Sequence, residues 1–336
     1  MSSYRIFLDY SDLPLKLLRE STAYFGYNPR RCFEASSSVE RLREKMNQTA
    51  AVIINIASNW SDITQLLHSA RTGGLQSGVA NVSHTVFQIF PADTDAGRSL
   101  SNCHFEAVSR WALDVLLTQY EITKANKAAE IYRVTSGTIF TASLRGTVFE
   151  RQVLNHFCHI RTECKFSIRR LTGFRNPEWT YRGPIRNFTF EKETVNNAIT
   201  EAVQNKEPLH LIPSVSNFAA ADSILYDPND PNAVVTCIQV ARNNNHPISL
   251  SGLQDIQRWF ELGTPLKDLR PNKKRPWRFV FVVPFGLARE FKPQGFKGDA
   301  GGEAWDGKVH QCVLELEDGK IFRGVTDSSD ESATTS

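Results

Sequence analysis

The chain has 336 residues, 41% of them hydrophobic and 22% charged, with a formal net charge of +3. That length can bury one large core or two smaller ones, and the charge fraction excludes a generally disordered chain. So small a positive surplus does not by itself establish nucleic-acid binding, since a basic footprint counts only where it is clustered, and no apolar run is long enough to span a bilayer.

In chain order, Tyr4-Arg-Ile-Phe-Leu reads as a strand, and the run reaches Asp9 before any signal-peptide core can form, so an intracellular protein is expected. Leu13-Pro-Leu-Lys-Leu-Leu-Arg-Glu then opens a helix with Pro14 in its first turn. Val39–Met46 is a charged helix, Trp60–His68 continues at helical spacing, and Thr72–Gly78 is a glycine-rich loop. A strand over His84–Phe90 is expected to stop at Pro91. Asn102–Tyr120 is then expected to be one long helix, because Phe105, Val108, Trp111, Ala112, Val115 and Leu116 recur on one face.

The second half changes texture. Leu144–His156 is helical; Lys165–Arg170 and Arg186–Phe190 are strand-like, and His210 begins another strand. Asp222–Asp227 and Val234–Val240 are strands separated by the turn-rich Pro228-Asn-Asp-Pro-Asn. Ser251–Phe260 is a helix, and Arg278–Pro284 and Gln311–Leu316 complete a set of continuous apolar strands. Interleaved helices and such strands imply an α/β fold, a sheet covered on both faces. A break between Ala125 and Thr141 divides the chain into residues 1–135 and 136–326, and the Ser/Thr/acidic 327–336 reads as a disordered tail.

Three polar residues stand out by position: Glu150 on the helix around Arg145-Gly-Thr-Val-Phe-Glu-Arg, Asp222 at a strand start, and Gln239 near a strand end. Metal-dependent phosphodiester cleavage needs hard oxygen ligands at adjacent strand ends, because Mg²⁺ demands near-octahedral oxygen coordination. Each residue taken singly is more often a solvated or structural polar group.

Asn217-Phe-Ala-Ala-Ala-Asp-Ser-Ile-Leu-Tyr, Gln239-Val-Ala-Arg-Asn-Asn-Asn-His-Pro-Ile, Gly252-Leu and Phe279-Val-Phe-Val-Val-Pro together resemble the nuclease module of Crinkler effectors and retrotransposon hot spot proteins. That module belongs to the PD-(D/E)XK superfamily. Phe291–Gln294 and Trp305-Asp-Gly-Lys-Val-His-Gln-Cys-Val-Leu fit the same ending. The resemblance implies a restriction-endonuclease-like mixed sheet flanked by helices, and a Mg²⁺- or Mn²⁺-dependent phosphodiesterase acting on nucleic acid, DNA foremost. It gives Glu150, Asp222 and Gln239 catalytic roles, with Asp222 and Gln239 as metal ligands. Asp222→Ala is then expected to abolish cleavage and leave folding nearly intact. Ala241 stands where the family carries a lysine, two residues past Gln239, so a departure is written into the motif; Ala241→Lys is expected to raise activity. The alternative reading is a catalytically decayed module that works through host or nuclear proteins.

Tyr24-Phe-Gly-Tyr-Asn-Pro-Arg-Arg-Cys-Phe, His84–Pro91 and Ser109-Arg-Trp-Ala-Leu resemble the closing part of the P-loop NTPase region that precedes this nuclease in the same families. The front of the chain is therefore expected to be a smaller α/β-helical remnant. No G-x-x-x-x-G-K-[ST] loop occurs, so no ATP hydrolysis is expected. The families' secretion leader is not visible at Met1–Asp9, and an effector sent to a host cell would need another route.

For nucleic acid, the candidate contacts are Arg242 and His246 beside Gln239, and the cluster Lys273, Lys274 and Arg275, which reads as a phosphate-contacting loop, a nuclear-import signal or a solvated turn. Arg169, Arg170, Arg175, Arg182 and Arg186, interleaved with Phe174, Trp179, Tyr181 and Phe188, suit base stacking and phosphate binding, or equally a sheet face with snorkelling arginines. Cys158 and Cys164 with His156 and His159 are read as a zinc knuckle or, more simply, as buried thiols. No G-x-S-x-G elbow supports serine-hydrolase chemistry.

Overall fold

The computed structural model describes residues 15–26, 28–59, 65, 85–94, 97–123, 127–135, 142–171, 178–190, 194–214, 218–260, 264–297 and 302–322. The expected Tyr4–Leu8 strand, the Thr72–Gly78 loop, the 327–336 tail and all of the Trp60–His68 helix but Gln65 lie outside these residues. Two compact units part between Val148 and Phe149, inside the helix Ala142–His159.

The first unit opens with α1 (Leu15–Phe25), α2 (Pro29–Ala35) and α3 (Val39–Ser58). Asn28 and Ser38 cap α2 and α3, each side chain accepting the backbone N–H three residues on, and Pro29 takes the first turn, where no N–H is needed. β1 (Phe87–Thr94) and β2 (Gly97–Ala107) form an antiparallel ribbon, followed by α4 (Arg110–Thr123) and α5 (Lys127–Val134).

Two expectations fail here. β1 runs through Pro91, and the register shifts between Pro91 and Ala92, the bulge by which a ribbon accommodates a residue with no N–H. Asn102–Tyr120 is not one helix: Asn102–Ala107 belongs to β2, and α4 starts at Arg110. The deciding signal is Ser109, whose Oγ accepts from Ala112 N (3.0 Å) as an N-cap and donates to Tyr24 O (2.6 Å). The Tyr24 and Ser109 segments singled out in the sequence thus dock on each other. Trp111 packs edge-on against Tyr24 and Phe25, with centroids 5.7 and 6.2 Å away. Gly26, at φ +61°, lies where a Cβ would stand 2.2 Å from Val108 O. Only glycine meets both demands.

The second unit takes most of α6 (Ala142–His159), then β3 (Glu163–Ser167), β4 (Arg169–Arg170), β5 (Glu178–Arg182), β6 (Arg186–Phe190) and α7 (Val195–Asn205). β7 (Leu209–Pro213), β8 (Ser223–Tyr226), β9 (Val235–Val240), β10 (Ile248–Ser249) and α8 (Leu250–Trp259) come next. The chain continues through α9 (Thr264–Lys267), β11 (Trp277–Pro284), β12 (Phe296–Lys297), β13 (Val309–Leu316) and α10 (Asp318–Ile321).

The result is a mixed α/β unit built on a seven-stranded sheet of order β4-β13-β11-β9-β8-β7-β6. β8 runs antiparallel to both β7 and β9, whereas β11 and β13 run parallel to β9. Helices flank it. On one face Ile224, Cys237, Phe279 and Phe281 pack with Val195 and Ile199 of α7 and Leu253, Ile256 and Trp259 of α8. On the other, Phe157 of α6 meets Phe166, Trp179 and Tyr181 of the β3–β5 hairpin at centroid distances of 5.6–5.7 Å.

This face also buries polar groups; Trp179 Nε1 has no hydrogen-bond partner among the described residues, but Arg278, Asp230 and His210 are paired. Arg278 forks onto Asp230 (2.7 and 3.3 Å), with both side chains only 4% exposed. In the tandem Asp227-Pro-Asn-Asp-Pro-Asn, Asp227 and Asp230 each accept the N–H of the asparagine two residues on, and Arg182 and Arg278 hold the two carboxylates from outside the turn. His210, fully buried, links three strands: its ring nitrogens lie 3.1 Å from Asn187 Oδ1 and 2.9 Å from Ser223 Oγ. A neutral imidazole has one donor and one acceptor, which this chain satisfies. Burial drives its pKa down to about 4.

Candidate active site

Because β8 runs antiparallel to β9, the residue that precedes β8 sits beside the last residues of β9. Asp222 N donates to Ile238 O (2.9 Å), and Asp222 Oδ2 accepts from Val240 N (2.6 Å) and Gln239 Nε2 (2.7 Å). The carboxylate thus does two things. It takes the place of a backbone carbonyl at the end of the ladder, and it draws the Gln239 amide alongside. An ionised carboxylate can only accept, so the glutamine presents its nitrogen rather than its oxygen.

The segment leading into Asp222 is fixed from behind by α8. Ser249 caps that helix, its Oγ accepting from Gly252 N (3.2 Å). A Cβ on Gly252 would stand 2.5 Å from Ala220 Cα and N, so helix and segment meet backbone to backbone. Phe218 stacks on Trp259 at 5.7 Å.

Past β9, Ala241 N still bonds Val282 O (2.9 Å), and Arg242 to Asn245 emerge exposed. Gln294 holds this loop: its Oε1 accepts from His246 N (2.6 Å), and its Nε2 donates to Asn244 O (2.9 Å). Gln294 is itself clasped by Gln311, which accepts from Gln294 N (2.7 Å) and donates to Gln294 O (2.8 Å). The two terminal segments picked out in the sequence therefore meet through this pair. His246 lies edge-on to Phe281 at 6.5 Å, and burial, then the Arg242 charge, pushes its pKa below the ordinary imidazole value, so it is a neutral ring at pH 7.

No family model, no curated protein and no solved structure matches this chain. Of the sequence-expected site residues, Asp222 and Gln239 come together. Glu150 is half-buried on α6. Ala241 is fully buried in the core beneath α8, so a lysine there would carry its stem into packed apolar surroundings. Lys273, Lys274 and Arg275 are exposed, in a tight turn closed by Asn272 Oδ1, with Arg275 3.3 Å from Asp268. They precede β11, whereas Gln239 is level with Phe281. Six residue steps of near-extended chain, four of them within β11 and about 20 Å in all, separate Arg275 from the level of the pair.

Of the arginine–aromatic stretch, Phe174 and Arg175 lie outside the described residues; Trp179 and Tyr181 are buried, Arg182 pairs with Asp227, and Arg186 lies 3.0 Å from Glu201. Among the described residues, no group of three or more His, Cys, Asp and Glu side chains gathers to hold a metal ion. Burial pushes Cys158 and Cys312 up to about 11 and Cys237 to about 12, so these thiols are protonated at neutral pH. In the first unit an open cleft of about 420 Å³ is lined by Arg30, Arg31, Glu34, Lys45, Gln48 and Thr49 among others, and none of the expected site residues lines it. No helix among the described residues is long and apolar enough to cross a membrane.

Sequence reasoning missed Gln294 and Gln311 as the residues that set the loop beside the pair. Both lie inside the terminal motif segments, but reciprocal bonding between residues 17 apart leaves no periodic trace.

Proposed function

We propose that the 149–322 unit is a restriction-endonuclease-like domain that binds nucleic acid, DNA foremost, at the strand ends around Asp222, and is a weak metal-dependent phosphodiesterase there. The observation that carries the reading is the meeting of Asp222 and Gln239 on adjacent strand ends, 2.7 Å apart. Two hard-oxygen side chains suit Mg²⁺ or Mn²⁺ as the first part of a ligand set. Asp222 would contribute the charge and Gln239 its amide oxygen after turning from the carboxylate, with Glu150 assisting from α6. A bound metal would supply polarisation of a phosphodiester oxygen.

The chain's own residues bind and orient. Arg242 meets phosphate, the Gln294–Gln311 clasp fixes the loop that carries it, and neutral His246 shapes that loop. A single carboxylate with a neutral partner holds a divalent ion weakly, which favours Mn²⁺ over Mg²⁺. The test is plasmid nicking by the purified chain with either metal, against Asp222→Asn. Metal-dependent nicking lost in the variant supports cleavage.

The second reading, a decayed module that acts through nuclear or host proteins, is favoured by buried Ala241 at the lysine position and by the amide nitrogen turned to Asp222. Binding of nucleic acid without cleavage under either metal removes the phosphodiesterase. Absence of binding leaves the protein-interaction module.

A further inference from the structure

β11 is buried along Trp277–Val283, yet the residue that succeeds the strand, Phe285, is 69% exposed. A phenylalanine left in water at a strand exit is ordinarily mobile or tucked back. Here it is held out. Leu287 N bonds Pro284 O (3.2 Å), and Gly286 takes φ +87° with nothing within 4 Å of its Cβ position. Glu315 of β13 accepts from both Gly286 N (2.9 Å) and Ala288 N (3.1 Å) through one oxygen. Arg169 then ties Ala288 O and Phe291 O from the far side. The turn is fixed on both flanks, and its tip is an aromatic ring.

The register says where that tip stands. Val282 pairs Val240 and Ala241 N bonds Val282 O, so Arg242 and Phe285 leave neighbouring parallel strands at the same end of the sheet as Asp222. Arg289 and Lys292 are exposed on the same segment, against one exposed acid, Glu290. An exposed ring on a fixed turn, at a sheet end that also carries exposed cations, matches a nucleotide that offers a phosphate and a base face together. A duplex keeps its base faces stacked on one another, whereas an unpaired strand leaves them open.

We infer that Phe285 is a stacking platform for an unpaired base, so that the ligand of this sheet end is single-stranded nucleic acid or an unpaired junction. The inference rests on the nucleic-acid reading above and adds its substrate class. The test uses the whole chain, with a single-stranded DNA oligonucleotide carrying 2-aminopurine and a hairpin duplex of the same length. Wild type should bind the single strand more tightly and quench 2-aminopurine. Phe285→Ala should lower single-strand affinity about tenfold and abolish quenching while leaving duplex affinity unchanged, and Phe285→Trp should retain both. Equal single-strand affinity and quenching in wild type and Phe285→Ala would overturn the platform, as would equal losses on single strand and duplex. Wild type that binds neither nucleic acid fails differently, since that removes the nucleic-acid reading itself.

Discussion

Replacing Gly252 by alanine probes how the site is built. The new Cβ would lie 2.5 Å from Ala220 Cα and N and 2.7 Å from Ala219 C. Ordinary carbon contacts begin about 1 Å further out. These neighbours are backbone atoms, which cannot rotate aside, so α8 and the 218–221 segment must separate by about that distance. The movement loosens Leu253, Ile256 and Trp259 from the core and drags the segment that sets Asp222. Overpacking costs about 1–3 kcal/mol, and a backbone clash sits at the upper end. Alanine regains about 1 kcal/mol of helix propensity, leaving a net loss of about 2 kcal/mol. For a unit this size that lowers Tm by roughly 4–8 °C. Gly295 is the control: nothing lies within 4 Å of its Cβ position, and Gly295→Ala should stay within about 0.5 kcal/mol. Thermal and urea unfolding followed by tryptophan fluorescence reads both, with Trp259, stacked on Phe218, as the local reporter. Gly252→Ala melting at or above wild type, with Gly295→Ala neutral, refutes the backbone-contact account.

Arg278→Met strands the Asp230 carboxylate in the interior and should cost about 3–5 kcal/mol in urea unfolding; a loss under 1 kcal/mol would show that the pair contributes little. His210 is neutral when folded, with its pKa lowered to about 4 from 6.5. The unfolded chain therefore binds more protons between those values, so its contribution is full above pH 6.5 and is lost as pH falls toward 4, roughly 3 kcal/mol in all; His210→Asn should flatten that slope in stability-versus-pH measurements. Asp222→Ala should lose about 1–3 kcal/mol by leaving Val240 N–H without its acceptor, whereas Asp222→Asn keeps an oxygen for that bond, melts near wild type and still loses metal-dependent nicking. Equal melting temperatures for the two variants would contradict the strut.

The strands Asp222–Asp227, Val234–Val240 and Arg278–Pro284 were legible because they are short, apolar and bounded by turn residues, and the structure places them within a residue or two. Their order carried the Asp222–Gln239 meeting, since antiparallel neighbours share an end. Asn102–Tyr120 misled because Phe105 and Val108 extend the helical stripe of Trp111, Val115 and Leu116 backwards, and only the cap at Ser109 breaks it. α7 was overlooked although Val195, Ala198, Ile199 and Ala202 are buried at helical spacing, because the paired asparagines weaken local propensity and tertiary packing decides. The Lys273–Arg275 cluster shows the deeper limit. Charge density is visible in one dimension, but which end of a strand it occupies emerges only from pairing. Likewise, the expectation that Asp222 is dispensable for folding overlooked the Val240 N–H it satisfies.

That strut has a consequence for how such a chain changes over generations. A side chain that closes the end of a ladder is kept by selection for folding whether or not any phosphodiester is ever cut. Gln239 and Glu150 are placed by their own strand and helix, so their side chains can change without opening that ladder. If the proposed catalysis were lost in descendants, drift should reach Gln239 and Glu150 first, while position 222 keeps an oxygen acceptor as aspartate or asparagine. Sequence variation sampled from close kin would therefore report on chemistry at Gln239 and Glu150, and on architecture at Asp222.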